Sequence, residues 1–185
     1  MPQKQANRGG YTQNLWLHGP EDYLTEVGTM NMFVVFKRGE SETCDSIQDF
    51  RTCSSFEPAT TLVTPPLDGL ILPGVTRDSV LTLAKDHASG KRPVPGLPPN
   101  LVVEERNVTM AEIKSAVRKG QLVELFGTGT AAIISPVDRI GYLGEDIHIP
   151  VGEDGMGPLS RPFWERLVSI QKGEIESDWN VVVCE

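Results

Sequence analysis

Met30-Asn31-Met32-Phe33-Val34-Val35-Phe36-Lys37 is a nearly unbroken run of apolar, β-branched and aromatic side chains closed by a lysine. A run this short with this composition reads as a buried strand. Working outward, Leu15-Trp16-Leu17-His18 is a second short apolar run, ended by Gly19-Pro20, hence a strand and a turn. Downstream, Thr61-Leu62-Val63-Thr64 reads as a strand stopped by Pro65-Pro66, and Asp68-Gly69 marks a turn. Leu70-Ile71-Leu72 then leads into Pro73-Gly74.

A helix is expected to open at Val75 or Thr76, because Val80, Leu83, Ala84 and His87 recur on one helical face. It ends in a connector, Ser89 to Pro99, whose four prolines exclude regular structure. Leu101 to Glu104 is a strand. Thr109-Met-Ala-Glu112 has the form of a capping box, and the helix it opens should turn Met110, Ile113 and Val117 inward before stopping at Lys119-Gly120. The same Thr109 completes an Asn-Val-Thr sequon, but capping accounts for it. Gln121 to Phe126 is a strand, followed by Gly127-Thr128-Gly129-Thr130 and the apolar run Ala131 to Val137. A short strand, Ile147 to Ile149, precedes the last helix, Leu159 to Gln171, which carries Leu159, Phe163, Leu167 and Ile170 on one face. The class is mixed α/β or α+β, with helices packed outside a sheet or partial barrel.

The 185 residues carry 17 basic and 25 acidic side chains, a formal net charge of −8 with pI ≈ 4.9. That balance argues against a nucleic-acid binder, which needs a basic face for the phosphate backbone. No apolar stretch reaches the ~18 residues of a membrane span. Cys44, Cys53 and Cys184 are too few for a disulfide framework and have no histidine at ligand spacing, so neither disulfides nor a metal site is expected. This usage fits a reducing compartment. Residues 1–14 lack a secretory core, so the chain is expected either to stay in the cytosol or to have its true start upstream.

Three segments could carry chemistry. Glu26 enters the buried strand, where a carboxylate must be paired unless it sits at a solvent-facing edge. Leu72-Pro-Gly-Val-Thr-Arg77 opens a helix, whose free amides and dipole suit an anion, although most such helix starts bind nothing. Gly127-Thr-Gly-Thr130 either lets a backbone approach a ligand, with hydroxyls as phosphate donors, or is a tight turn. It is neither a P-loop nor a dinucleotide fingerprint.

Taken in order, Glu26-Val-Gly-Thr-Met-Asn-Met-Phe33, Leu62-Val-Thr-Pro-Pro66, Leu72 to Arg77 and Phe126 to Ala131 resemble the branched-chain amino-acid aminotransferases, fold-type-IV pyridoxal-phosphate enzymes. Pro65 to Gly69, Ile147 to Pro150, Gln171 to Gly173 and Glu176 to Trp179 add to the likeness, which spans the chain apart from residues 39–59. The resemblance implies pyridoxal 5′-phosphate as cofactor, with Glu26 on its pyridine nitrogen and Leu72 against its ring. The backbone amides of Val75 and Thr76, with the Thr130 hydroxyl, would be on its phosphate. Thr29 and Ala131 would line the place of the substrate carboxylate. It implies transfer of the amino group of leucine, isoleucine or valine to 2-oxoglutarate, giving glutamate, by a homodimer that is cytoplasmic or mitochondrial and serves biosynthesis or catabolism. A D-amino-acid aminotransferase and an aminodeoxychorismate lyase are the alternatives within the fold group, and the Pro65 to Gly69 segment favours the branched-chain class. Some animal members carry a Cys-x-x-Cys pair after this glycine motif; Ala132 and Ser135 stand there, so no thiol switch is expected.

The resemblance also implies what residues 1–185 should be: the carboxyl-terminal large domain, without the small amino-terminal domain. None of the seven lysines sits in the family's Schiff-base motif, so no catalytic residue is expected in the chain and the chain alone should be inactive. The other reading is a non-catalytic product that at most pairs with full-length subunits. Residues 39–59 are expected to form a disordered insertion between two strands that a short loop would join.

Overall fold

The structure, a computed structural model, describes residues 2–37, 59–181 and 183. The expected insertion at residues 39–59 therefore lies, apart from Ala59, outside the described residues, as does Cys184. In chain order the elements are α1 (Pro2–Arg8), β1 (Leu15–His18), β2 (Tyr23–Val27), β3 (Met30–Lys37) and β4 (Thr60–Thr64). Next come α2 (Val75–Ala88), β5 (Leu101–Glu105), α3 (Met110–Arg118), β6 (Leu122–Gly129) and β7 (Ile133–Val137). The hairpin β8 (Arg139–Tyr142) and β9 (Glu145–His148) and the helix α4 (Ser160–Gln171) complete the described fold.

β3, the run from which the sequence reading began, is the hub of a seven-stranded sheet. On one edge it pairs with β6 from Asn31 to Phe36. On the other it pairs first with β2, at Met30 and Asn31, and then with β4, from Val34 to Lys37. The sheet therefore forks along β3, with Thr64 Oγ1 donating to the Met32 carbonyl (2.7 Å) inside the fork. β4 and β5 run parallel with α2 between them, a connection that antiparallel neighbours would not need.

Because strand side chains alternate, β3 feeds two cores. Phe33 and Val35 join α2, α4 and Phe126 on one face, where Phe33 and Phe126 stack at 5.2 Å and 12°. Met32 and Val34 join α3 and the β8–β9 hairpin on the other. This is the expected mixed class, with helices flanking a mainly antiparallel sheet.

Several local details differ from the sequence reading. Thr25 to Asn31 is not the lead-in to one strand but a hairpin, with Gly28 at φ 59° in its two-residue turn. Leu143-Gly144, both at positive φ, close a second hairpin whose first strand the sequence did not show. In α3 the Thr109 hydroxyl accepts from the Glu112 amide (3.1 Å), as a cap should. The Glu112 carboxylate, however, turns to the Arg106 guanidinium (2.7 and 3.0 Å) instead of completing the box. Ala116 is buried in place of Val117, which is only half-buried. His87 is a polar clamp: its Nδ1 accepts from the Val94 amide and its Nε2 faces the Pro98 carbonyl, both at 3.0 Å. The proline-rich connector is held to α2 by these contacts and by the buried Val94 and Leu97.

Candidate functional site

Register places four side chains in one row across the sheet. Glu26 on β2 lies opposite Asn31 on β3, Asn31 opposite Thr128 on β6, and Thr128 opposite Ile134 on β7. Directly paired residues share a face, here the one that carries Phe33, Phe126 and α2. The row ends beside the segment that leads from the fork of the sheet to α2.

Glu26 is half-buried and tied to that segment. Its Oε1 accepts from the Leu72 amide (3.0 Å) and from Asn31 Nδ2 (3.2 Å). The same Nδ2 donates to the Leu72 carbonyl (2.9 Å), so both backbone groups of Leu72 are bound. Among the described residues no donor reaches Glu26 Oε2. The approach is tight enough to require glycine next door, since a Cβ on Gly74 would collide with Asn31 Oδ1. Thus the two segments singled out in the sequence, Glu26 and Leu72–Arg77, are brought into direct contact.

Among the described residues no side chain caps α2 at Gly74, which leaves the first-turn amides to solvent or a ligand. Arg77 turns away from them. It is 2% exposed, and its guanidinium donates to the Pro65 carbonyl (2.7 Å) and to Glu105 (2.9 Å). Arg77 thereby fixes the first turn against the ends of β4 and β5. Lys85, and after it Arg77, hold the Glu105 carboxyl below its ordinary value. A carboxylate held low stabilises the native state above the unfolded value and loses that contribution as pH falls through the native one. Urea midpoints should therefore drop below pH 4.5 in the wild type more steeply than in Glu105→Gln. Parallel profiles in the two proteins would remove Glu105 as an acid-sensitive support of α2.

Leu72 and Val75 are 72% and 79% exposed, large apolar side chains presented to solvent beside Glu26 and the helix start. Thr76 is half-buried, while Thr29, Thr130 and Ala131 are exposed at two hairpin turns. The turns adjoin: a Cβ on Gly129 would lie 3.8 Å from the Thr29 carbonyl. Gly127-Thr-Gly-Thr130 is not itself the turn, since Gly127, Thr128 and Gly129 belong to β6. A Cβ on Gly127 or Gly129 would meet Val27 or Met30, so these glycines make room for the packing on the opposite face.

Sequence reasoning gave no role to the buried Asn31 and Glu124, and it placed the buried Thr128 only within its glycine motif. Asn31 is 4% exposed within an apolar run, a signal that it needed a partner. Thr128 is 1% exposed, and its hydroxyl has no partner among the described residues, whereas the motif pointed to Thr130. Glu124, also 1% exposed, accepts from the Leu159 amide (2.6 Å), the Ser160 amide (3.2 Å) and Ser160 Oγ (2.6 Å), capping α4 from the sheet. Burial pushes its carboxyl upward against these donors. A cavity of about 250 Å³ lies elsewhere, lined by Tyr11, Val27, Met30 and Arg139. Val27 and Met30 alternate with Glu26 and Asn31, so that cavity is on the far side of the sheet.

The fold and site together define a class. A family model for amino-transferase class IV matches residues 1–140, and the chain belongs to that family. It is similar to the cytosolic branched-chain-amino-acid aminotransferase of Saccharomyces cerevisiae, with 43% identity over 188 aligned residues, covering all of this chain and 43% of that protein. Among solved structures it resembles the branched-chain amino acid aminotransferase of Escherichia coli at a TM-score of 0.59 and 25% identity, covering 96% of this chain and 44% of that one. The branched-chain amino acid aminotransferase from Thermobaculum terrenum, solved in its PLP form, shares the fold at a TM-score of 0.54 and 23% identity, covering 94% and 41%. The chain thus spans less than half the length of these relatives. Among the described residues no helix is long and apolar enough to cross a membrane.

Proposed function

We propose that this chain is the large, cofactor-bearing part of a branched-chain amino-acid aminotransferase that uses pyridoxal 5′-phosphate. The observation that carries the reading is the contact between Glu26 and the Leu72–Gly74 segment, which sets a carboxylate oxygen and a bare helix start on one ledge. The residues fit the group. Glu26 Oε2 suits a protonated pyridine nitrogen, the exposed Leu72 side chain suits a ring face, and the amides of Val75 and Thr76 suit a phosphate. The orphaned Thr128 hydroxyl lies in the same row, on the same face. Asp78 stands in the first turn of α2, so amide geometry rather than net charge must hold the anion.

When bound, pyridoxal phosphate supplies an electron sink that lets the substrate's α-hydrogen leave as a proton. Glu26 holds a proton on the ring nitrogen through Oε2, which keeps that sink electron-poor. Asn31 and the Leu72 amide hold Oε1, so the carboxylate cannot rotate away. Leu72 covers the ring and excludes water from it. Thr29 and Ala131, on the adjoining turns, border the substrate carboxylate, and leucine, isoleucine or valine donates its amino group to 2-oxoglutarate. A homodimer is the assembly proposed.

The test uses pyridoxamine 5′-phosphate, which binds without a covalent link to lysine. The purified 185-residue chain should quench or enhance its fluorescence saturably, and inorganic phosphate should compete. Because none of the seven lysines lies in the family's motif, the same preparation should form no glutamate from leucine and 2-oxoglutarate. Absence of saturable binding would overturn the proposal.

A further inference from the structure

We propose that Asn31 is the positioning residue for the ring-nitrogen end of this site, an inference that rests on the function proposed above. The residue is 4% exposed, and one nitrogen, Nδ2, serves two acceptors on different elements: Glu26 Oε1 at 3.2 Å and the Leu72 carbonyl at 2.9 Å. With the Leu72 amide on the same Oε1 at 3.0 Å, these contacts close a small ring through Glu26, Asn31 and Leu72. Two donors occupy one carboxylate oxygen and leave the other to the ligand. A carboxylate held by one donor alone could swing between its two oxygens, and a charge-assisted bond to a ring nitrogen depends on direction as well as distance.

The other atom of the amide has its own constraint. Asn31 Oδ1 faces the backbone of Gly74, the cap residue of α2, so closely that no side chain fits there. Asn31 therefore spans from Glu26 to the first turn of the helix. It sets the spacing between the group that meets the ring nitrogen and the amides that meet the phosphate. An aliphatic residue of equal size would fit the apolar run better and satisfy the strand equally. A buried amide near the start of such a run costs desolvation that only these bonds offset.

The test separates a positioning role from a packing role with two ligands. Pyridoxamine 5′-phosphate and its 1-deaza analogue, in which carbon replaces the ring nitrogen, are titrated against the wild type, Asn31→Ala and Asn31→Leu. The wild type should prefer the nitrogen-bearing ligand. Both variants should lose about 5- to 10-fold of that preference, the effect of one ordinary hydrogen bond, while the deaza analogue binds nearly as before. Asn31→Leu keeps the number and branching of the side-chain heavy atoms and so leaves no cavity, and the measurement survives if the alanine variant does not fold. An unchanged preference in a folded variant would overturn the role of Asn31 and leave the proposed function standing. Equal weakening of both ligands, or loss of the fold in both variants, would make the residue structural and overturn it as well. A wild type that binds neither ligand would overturn the proposed function itself.

Discussion

Glu124→Ala should lose about 3–4 kcal/mol of stability, because truncation leaves the Leu159 amide, the Ser160 amide and Ser160 Oγ without their acceptor in a buried place. For a chain of this size that is a fall in Tm of about 10 °C. Trp164, packed against the core from α4, reports the loss by fluorescence. Gly157 lies against the same carboxylate, so the site has little room to collapse around an alanine. Glu124→Gln keeps one oxygen and the volume and should lose about 1 kcal/mol. The two variants also differ from the wild type in pH dependence. Burial raises the native carboxyl, so the native state holds its proton more tightly than the unfolded chain. Wild-type stability should then decline as pH rises above the unfolded value until the native carboxyl has ionised, and Glu124→Gln should lack that decline. An alanine variant within about 0.5 kcal/mol of wild type would show that the cap is dispensable.

Glu26→Gln should weaken pyridoxamine 5′-phosphate by about 10-fold, the effect of replacing a charge-assisted hydrogen bond by a neutral one. The fold should be retained. The substituted amide would keep an oxygen for the Leu72 N–H and Asn31 Nδ2, and position 26 is only half-buried. The 1-deaza analogue, with no ring nitrogen to address, should bind wild type and variant alike. Unchanged affinity for the nitrogen-bearing ligand would sink the assignment of Glu26.

The strands and helices most legible in the sequence were those whose information is local. The apolar run Met30 to Lys37 became the hub strand, and the repeat through Val80, Leu83 and Ala84 became the buried face of α2. Thr109 capped α3 because a hydroxyl and an amide three residues on are neighbours in any helix. The two hairpins at Gly28 and Leu143-Gly144 were less legible: their turns are short and their strands are only four to eight residues long.

For the candidate site, the sequence by itself supplied the motifs, their order and hence the family, together with Glu26 and the start of α2 as separate candidates. Only the tertiary structure decided that the two touch. The bonds from Leu72 to Glu26 and from Asn31 to Leu72 join residues 46 and 41 positions apart, and Glu124 reaches its helix across 35. No local periodicity encodes such distances. Strand register does, because a slip of one residue would send Glu26, Asn31 and Thr128 to the opposite face. That register selected Thr128 rather than Thr130 for the buried row, and it gave the space beside Gly127 and Gly129 to Val27 and Met30.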